Sequence, residues 1–172
     1  MTRRSQLVAC LTMVLLLVAP SLNWAVNGKS NQASLRGLGG VGVLVEKLAP
    51  EIEKEGLVRD KLQAEVELQL RAAGIKVLTK EGLAKAPGEP ILYINVNVNT
   101  AKTEADIFPY SIDAVLLQKV TLVRGPELTT HAVTWSAGGV GSISKELVGQ
   151  LRTSVEDIVD LFVRAYKAEN PD

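Results

Sequence analysis

The chain has 172 residues, with 19 basic and 19 acidic side chains and one cysteine, Cys10. A balanced charge without a basic block argues against a nucleic-acid partner, and one cysteine excludes a disulfide within the chain. The length fits one domain behind a short N-terminal segment, and such a domain buries enough surface to fold without disulfides.

Residues 1–25 have the pattern of a secretory signal peptide. Arg3 and Arg4 give a positive start, residues 7–19 are almost wholly apolar, and small residues follow. A membrane-spanning helix needs about 20 apolar residues, so the shorter run predicts cleavage rather than a permanent anchor. Lipidation of Cys10 is the weaker alternative, because most of the apolar run follows the cysteine. We expect a periplasmic or secreted protein without membrane attachment, cleaved after Ser21 or Ala25.

The first half of the mature chain predicts one strand and one helix. Polar residues at 26–36 predict a flexible leader, and residues 37–172 predict a single domain. Alternating valines within 38–49 predict the first strand. Residues 57–73 carry an apolar stripe at helical spacing among good helix formers, and Gly74 follows as a left-handed C-cap.

Three further strands and a final helix complete the chain. Residues 91–100 alternate between an apolar and an asparagine-rich side, which is typical of a sheet with one buried face. Residues 110–124 and 129–137 continue the strand pattern, and the glycines after 137 predict a flexible corner. Ser144 is the predicted N-cap of an amphipathic helix that ends near Glu169.

The order β-α-β-β-β-α predicts an α+β fold. Two helices with one apolar face each can cover one face of a four-stranded, mostly antiparallel sheet, which gives a two-layer α/β sandwich. The sheet-facing side of the last helix is predicted to consist of Leu151, Val155, Ile158 and Phe162.

The sequence contains no convincing catalytic set or metal site. His131 is the only histidine, and as a general base it would need a nucleophile and an orienting carboxylate, for which Asp113 is the candidate. A single histidine argues against zinc, and the acids Glu104, Asp106 and Asp113 lack the spacing of a calcium-binding loop. We therefore predict no enzyme activity, no catalytic residue, no metal and no cofactor.

Residues 37–42 match Gly-x-Gly-x-x-Gly, and Asp60 follows near the distance of a ribose-binding acid. In dinucleotide-binding proteins the glycines follow a strand and open a helix. Here they precede the first predicted strand. We interpret them as turn residues.

A row of polar side chains on the second strand is the candidate interaction face. Asn95, Asn97 and Asn99 share one side with Tyr93, although asparagine is depleted from strands. A solvated sheet face explains the row; the sharper alternative is a recognition face anchored by Tyr93 and Trp135, because interfaces favour these residue types. We predict a protein partner at this face. The alternatives are a carrier of a small apolar ligand between helices and sheet, and a small hydrolase that uses His131.

The helix-to-strand stretch reads Leu68-Gln69-Leu70-Arg71-Ala72-Ala73-Gly74-Ile75-Lys76-Val77-Leu78. Together with the signal sequence, the three strands and the long last helix, it resembles small bacterial envelope-accessory domains such as the LPS-assembly lipoprotein LptE and the N-terminal domain of TolB. The resemblance implies an accessory, non-enzymatic role in the cell envelope. Unlike the lipoprotein members, the chain has no well-placed lipobox cysteine.

Overall fold

The structure is a computed structural model that describes residues 29–101 and 106–171. Its elements are α1 (Lys29–Ala33), β1 (Gly42–Val45), α2 (Pro50–Lys54), α3 (Arg59–Ala72), α4 (Lys80–Leu83), β2 (Ile91–Val98), β3 (Ile107–Leu122), β4 (Gly125–Ser144), a 3₁₀ helix (Lys145–Gln150) and α5 (Leu151–Glu169). The predicted signal peptide, residues 1–25, and Glu104 lie outside the described residues. Within the described ranges, no helix is long and apolar enough to cross a membrane.

The four strands form one sheet in chain order, β1-β2-β3-β4. β1 and β2 are parallel and are connected through α3, whereas β2–β3 and β3–β4 are antiparallel. The predicted α+β fold, with its mostly antiparallel four-stranded sheet, is confirmed.

One face of the sheet, here called the inner face, is buried beneath α3 and α5. Its buried side chains are Leu92, Ile94, Val96, Ile112, Ala114, Leu116, Trp135 and Ala137. α3 contributes Leu62, Val66 and Leu70 to the same core. α5 buries Leu151, Val155, Val159, Phe162 and Ala165. Ile158 is only half-buried, so the helix is rotated slightly from the predicted position and Val159 lies in the core instead.

The predicted flexible leader, residues 26–36, is wrong for the part that the structure describes. Lys29–Ala33 is helical, and Leu35 is fully buried. Arg36 forms an ion pair of 2.8 Å with Glu169. The side chain of Asn170 donates to the carbonyl of Leu35 and accepts from the N–H of Gly37. Residues 29–36 are therefore part of the domain, because Leu35 is buried and the segment contacts the end of α5.

The predicted corner after residue 137 is also wrong, because β4 continues to Ser144. The glycines make room for side chains of β3. A Cβ on Gly138 would lie 2.6 Å from the carboxylate of Asp113, and one on Gly141 would lie 2.7 Å from the ring of Tyr110. The two glycines are therefore required for packing between β3 and β4, and they do not mark a turn.

The start of the last helix differs from the prediction. Ser144 precedes the 3₁₀ helix and makes no side-chain capping bond, and α5 begins only at Leu151. Gly74, by contrast, has the predicted left-handed backbone with φ of 82° after α3.

The edge of β1 that does not pair with β2 is covered by side chains of α3 and by the segment that follows α3. The N–H of Val45 donates to Oε1 of Gln63 at 2.9 Å, and Nε2 of Gln63 donates to the carbonyl of Val43 at 2.9 Å. Arg59 Nε donates to the carbonyl of Val45 at 3.1 Å. Val41, just before β1, pairs with Val77 in a parallel bridge. The polar groups of this edge are therefore occupied by side chains of α3 and by the segment after it.

Candidate interaction face

The predicted polar row lies on the face of the sheet that points away from α3 and α5, here called the outer face. Tyr93 pairs with Val115, Asn95 with Asp113, and Asn97 with Ser111. Side chains alternate along a strand, so these residues point opposite to the buried Leu92, Ile94 and Val96. The row therefore lies on the side of β2 opposite to the core; Asn97 is exposed, and Tyr93 and Asn95 are half-buried.

Asn99 lies just beyond β2 and continues the row at its end. Its backbone N–H donates to the carbonyl of Pro109 at 2.9 Å. Its side-chain Oδ1 accepts from the N–H of Ala101 at 3.0 Å. One side-chain oxygen of Asn99 thus stabilises the local turn, while the residue remains exposed.

The prediction that Trp135 joins this face is wrong. Trp135 is 0% exposed, pairs with Leu116 on the inner face, and contacts Phe162. That prediction rested on residue type, whereas the side of the sheet is set by strand register. A bulge separates Trp135 from the preceding part of β4: Val133 pairs with Leu117 and Trp135 with Leu116, which leaves Thr134 between them unpaired in register. One extra residue places Val133 and Trp135 on opposite faces, although their spacing predicts the same face.

The outer face has an apolar half that sequence reasoning missed. It consists of Leu44, Ile91, Tyr93, Val115, Leu117 and Val133, which are neighbours across all four strands. Leu44 is 42% and Val133 54% exposed. The sequence predicts the strands and puts Val115 and Leu117 on the side of their strand opposite to Leu116. Which residues become neighbours across the sheet depends on strand register, which the pattern within one strand does not reveal.

The polar half of the outer face lies beside it. Asn95, Asn97, Ser111 and Asp113 occupy β2 and β3, and an open cleft of about 560 Å³ lies between Asn97, Asn99, Ser111 and Val140. Val140 is 80% exposed. The outer face therefore combines an apolar region with an adjoining region of amide and hydroxyl groups, both able to contact another molecule.

Tyr93 lies at the border between the two halves, with Glu46 beside its hydroxyl. The hydrogen bond to Glu46 raises the pKa of Tyr93, and burial and the charge of Glu46 raise it further. The carboxylate of Glu46 therefore orients the phenol O–H at this border. An apolar ring with a polar tip suits the border of an interface.

His131 lies far from the carboxylate that was its candidate partner. His131 pairs with Lys119 across the hairpin, whereas Asp113 pairs with Gly138. Asp113 and Lys119 are six positions apart on β3, which corresponds to about 20 Å. The suggested Asp113–His131 pair is wrong. Instead, Nε2 of His131 lies 3.9 Å from Oε2 of Glu89, and the other carboxylate oxygen of Glu89, Oε1, accepts from Nζ of Lys119 at 3.2 Å.

The glycine-rich segment before β1 serves a close backbone approach. A Cβ on Gly40 would lie 2.5 Å from the carbonyl oxygen of Lys76. The next residue, Val41, donates its N–H to that same oxygen at 2.9 Å. Gly40 is therefore needed for packing against residues 76–78, a stronger requirement than the turn inferred from the sequence.

The space between helices and sheet, where an apolar-ligand carrier would hold its ligand, is filled by side chains. Trp135, Phe162, Leu92, Leu116 and Leu70 are all fully buried there. In residues 29–101 and 106–171, no three His, Cys, Asp or Glu side chains are grouped to hold a metal ion. The absence of a metal, a cofactor and an activity stays a prediction.

Comparisons with known proteins identify no family. No protein-family profile matches the sequence, and no curated protein matches it. Among solved structures, a minor lipoprotein from Acinetobacter baumannii is similar, with 9% identity and a TM-score of 0.35 over 78% of this chain and 95% of that chain. The resemblance to LptE and TolB stays a prediction.

Proposed function

We propose that this chain is an exported, non-enzymatic accessory protein of the bacterial cell envelope that binds a protein partner through its outer face. The observation that carries the proposal is the apolar half of that face, which spans all four strands on the side away from α3 and α5 and leaves Leu44 and Val133 exposed. α4 packs only at its corner, where a Cβ on Gly42 would lie 3.1 Å from the side chain of Leu83. Sizeable exposed apolar patches on soluble domains mark interaction sites.

The surroundings of the apolar half support a protein as the partner. Protein interfaces have an apolar centre, with aromatic anchors, and a polar rim. Tyr93 is such an anchor, and the rim is formed by Asn95, Asn97 and Asp113. The predicted signal peptide supports action outside the cytoplasm, because residues 1–25 follow the order of a positive, an apolar and a small-residue region.

A capture experiment with matched variants tests the proposal. The protein, purified after export, is immobilised and exposed to envelope extract, and bound proteins are identified by mass spectrometry. Leu44→Glu and Val133→Glu introduce a charge into the apolar half at exposed positions. Leu68→Glu is the control, because Leu68 is 67% exposed on α3 and lies outside the outer face.

We expect one protein to be captured by the wild type and by Leu68→Glu, and lost with Leu44→Glu and Val133→Glu. Equal capture by all four forms would contradict binding at the outer face. Fractionation of cells tests the export step separately, and the expected result is protein in the envelope or medium with its N-terminus near residue 22 or 26.

A further inference from the structure

The two edge strands of the sheet, β1 and β4, differ in how far other residues cover their backbone. The edge of β1 is covered by Gln63, Arg59 and residues 76–78, as described above. At the other edge, β4 is the last strand, and no described element pairs with it between Ser136 and Ser144. In an antiparallel strand, alternate residues direct their N–H and C=O groups away from the neighbouring strand. β4 therefore presents a row of open backbone donors and acceptors.

Residues 132–144 of β4 lack the residue types that protect an edge. Natural sheets protect their edges with lysine, proline, bulges or covering segments. Between His131 and Lys145 there is no charged residue and no proline. The bulge lies at one end, opposite Leu116, and Ser34 covers only the carbonyl of Thr134. Val140 is 80% exposed, and the position of a Cβ on Gly139 is open space. Among residues 29–101 and 106–171, nothing pairs with this stretch of the edge, so it can accept a strand.

The residues of β4 complement themselves when a second copy runs antiparallel to the first. The segment reads Ser136-Ala137-Gly138-Gly139-Val140-Gly141-Ser142. A twofold axis at Gly139 places Ser136 opposite Ser142, Ala137 opposite Gly141, and Gly138 opposite Val140 of the second copy. Every pair then contains at least one small residue, and no like charges face each other. Such a self-complementary patch is what a twofold dimer requires.

We propose that two copies of this chain pair edge to edge through antiparallel β4 strands, from Ser136 to Ser142. The two four-stranded sheets become one continuous sheet. The twofold axis is perpendicular to the sheet, so both outer faces lie on the same side. If the proposed function holds, the dimer presents two equivalent binding faces next to each other; the pairing itself does not depend on that function.

Charge substitutions at the twofold axis test the pairing. Gly139 of each copy would lie directly opposite its equivalent, so Gly139→Glu places two carboxylates together and Gly139→Lys two ammonium groups. Like charges facing each other in an interface are strongly unfavourable. We expect the monomer to tolerate both changes, because no atom lies within 4 Å of the added Cβ.

Sedimentation velocity gives the mass of each form, and circular dichroism checks its fold. We expect a two-chain mass for the wild type. For each charged variant, the Kd of the dimer should be at least about tenfold higher than for the wild type. A mixture of the two variants should recover the two-chain mass. A monomeric wild type would overturn the proposal, and so would a dimer that ignores charge at position 139 or a mixture that stays monomeric.

A third variant separates this proposal from the proposed function. Leu44→Glu alters the outer face on β1, at the opposite edge of the sheet from β4. We expect it to keep the two-chain mass while losing the captured partner. Loss of the dimer in Leu44→Glu would show that the copies associate through the outer face, and would contradict pairing through β4.

Discussion

Trp135 and Phe162 meet edge to face in the centre of the core, with ring centroids 5.1 Å apart and an interplanar angle of 74°. Both side chains are fully buried. Aromatic pairs in this geometry add about 0.5–1.5 kcal/mol to the stabilisation from burial. The contact joins β4 to α5, so it fixes the last helix on the sheet.

Replacement of Phe162 by alanine should therefore destabilise the domain strongly. Removing a buried phenylalanine costs about 3–5 kcal/mol in free energy of unfolding, a large part of the about 5–15 kcal/mol that a domain holds. Arg164→Ala, on the exposed side of α5, should change it by about 0.5 kcal/mol or less. Denaturant unfolding measures both, and a larger loss for Arg164→Ala would mean that the helix is rotated.

Gln63 should matter more than an ordinary half-buried glutamine. Its side chain satisfies the N–H of Val45 and the carbonyl of Val43 at the edge of β1. Gln63→Ala leaves both groups to water and should lower the free energy of unfolding by about 1–2 kcal/mol. Lys61→Ala, at an exposed position of the same helix, is the control and should stay within about 0.5 kcal/mol. Equal effects in unfolding experiments would mean that the edge does not need Gln63.

Gly40 and Gly39 form a natural pair for comparison. Gly40 has φ of 143°, and its Cβ would lie 2.5 Å from the carbonyl oxygen of Lys76, whereas no atom lies within 4 Å of a Cβ on Gly39. Gly40→Ala should therefore cost more than about 1 kcal/mol, because both the backbone conformation and the contact are incompatible with a side chain. Gly39→Ala should be nearly neutral. Thermal unfolding of the two variants tests this difference. Similar melting temperatures would contradict the close approach of Gly40 to the carbonyl oxygen of Lys76.

The ionisation of Tyr93 should depend on Glu46. Because the hydrogen bond to Glu46 raises the pKa of Tyr93, Glu46→Ala should lower that pKa towards the ordinary value for tyrosine. The stability that this raised pKa provides is present below the unfolded-state pKa and is lost as the pH rises through the folded-state pKa.

Ring NMR of labelled tyrosine across alkaline pH follows this titration. Burial alone raises the pKa of Tyr166, whose hydroxyl donates to the carbonyl of Leu38 at 2.6 Å. Tyr166 should titrate identically in the wild type and in Glu46→Ala, so it serves as the internal control. An unchanged titration of Tyr93 would show that Glu46 is not its partner.

The sequence predicted those features of the fold that depend only on the residues within one strand or helix. The alternation of residues 91–98 and the stripe of α5 both depend on side chains within one segment, and both were interpreted correctly in outline. Trp135 was assigned to the exposed face from its residue type, and its true side depends on pairing with Leu116 of β3. The glycines of β4 were misread because Asp113 and Tyr110, which fill the space above them, come from another strand.

Site-specific photocrosslinking in living cells tests the central claim, a partner at the outer face, most directly. A photoreactive residue replaces Leu44 or Asn97 on the outer face, and Asp157 on the exposed side of α5 serves as the control. We expect irradiation to link Leu44 and Asn97 variants, in the envelope fraction, to one and the same second protein, and to give no such product from the Asp157 variant. Absence of a product from both outer-face positions, or the same product from Asp157, would contradict the account.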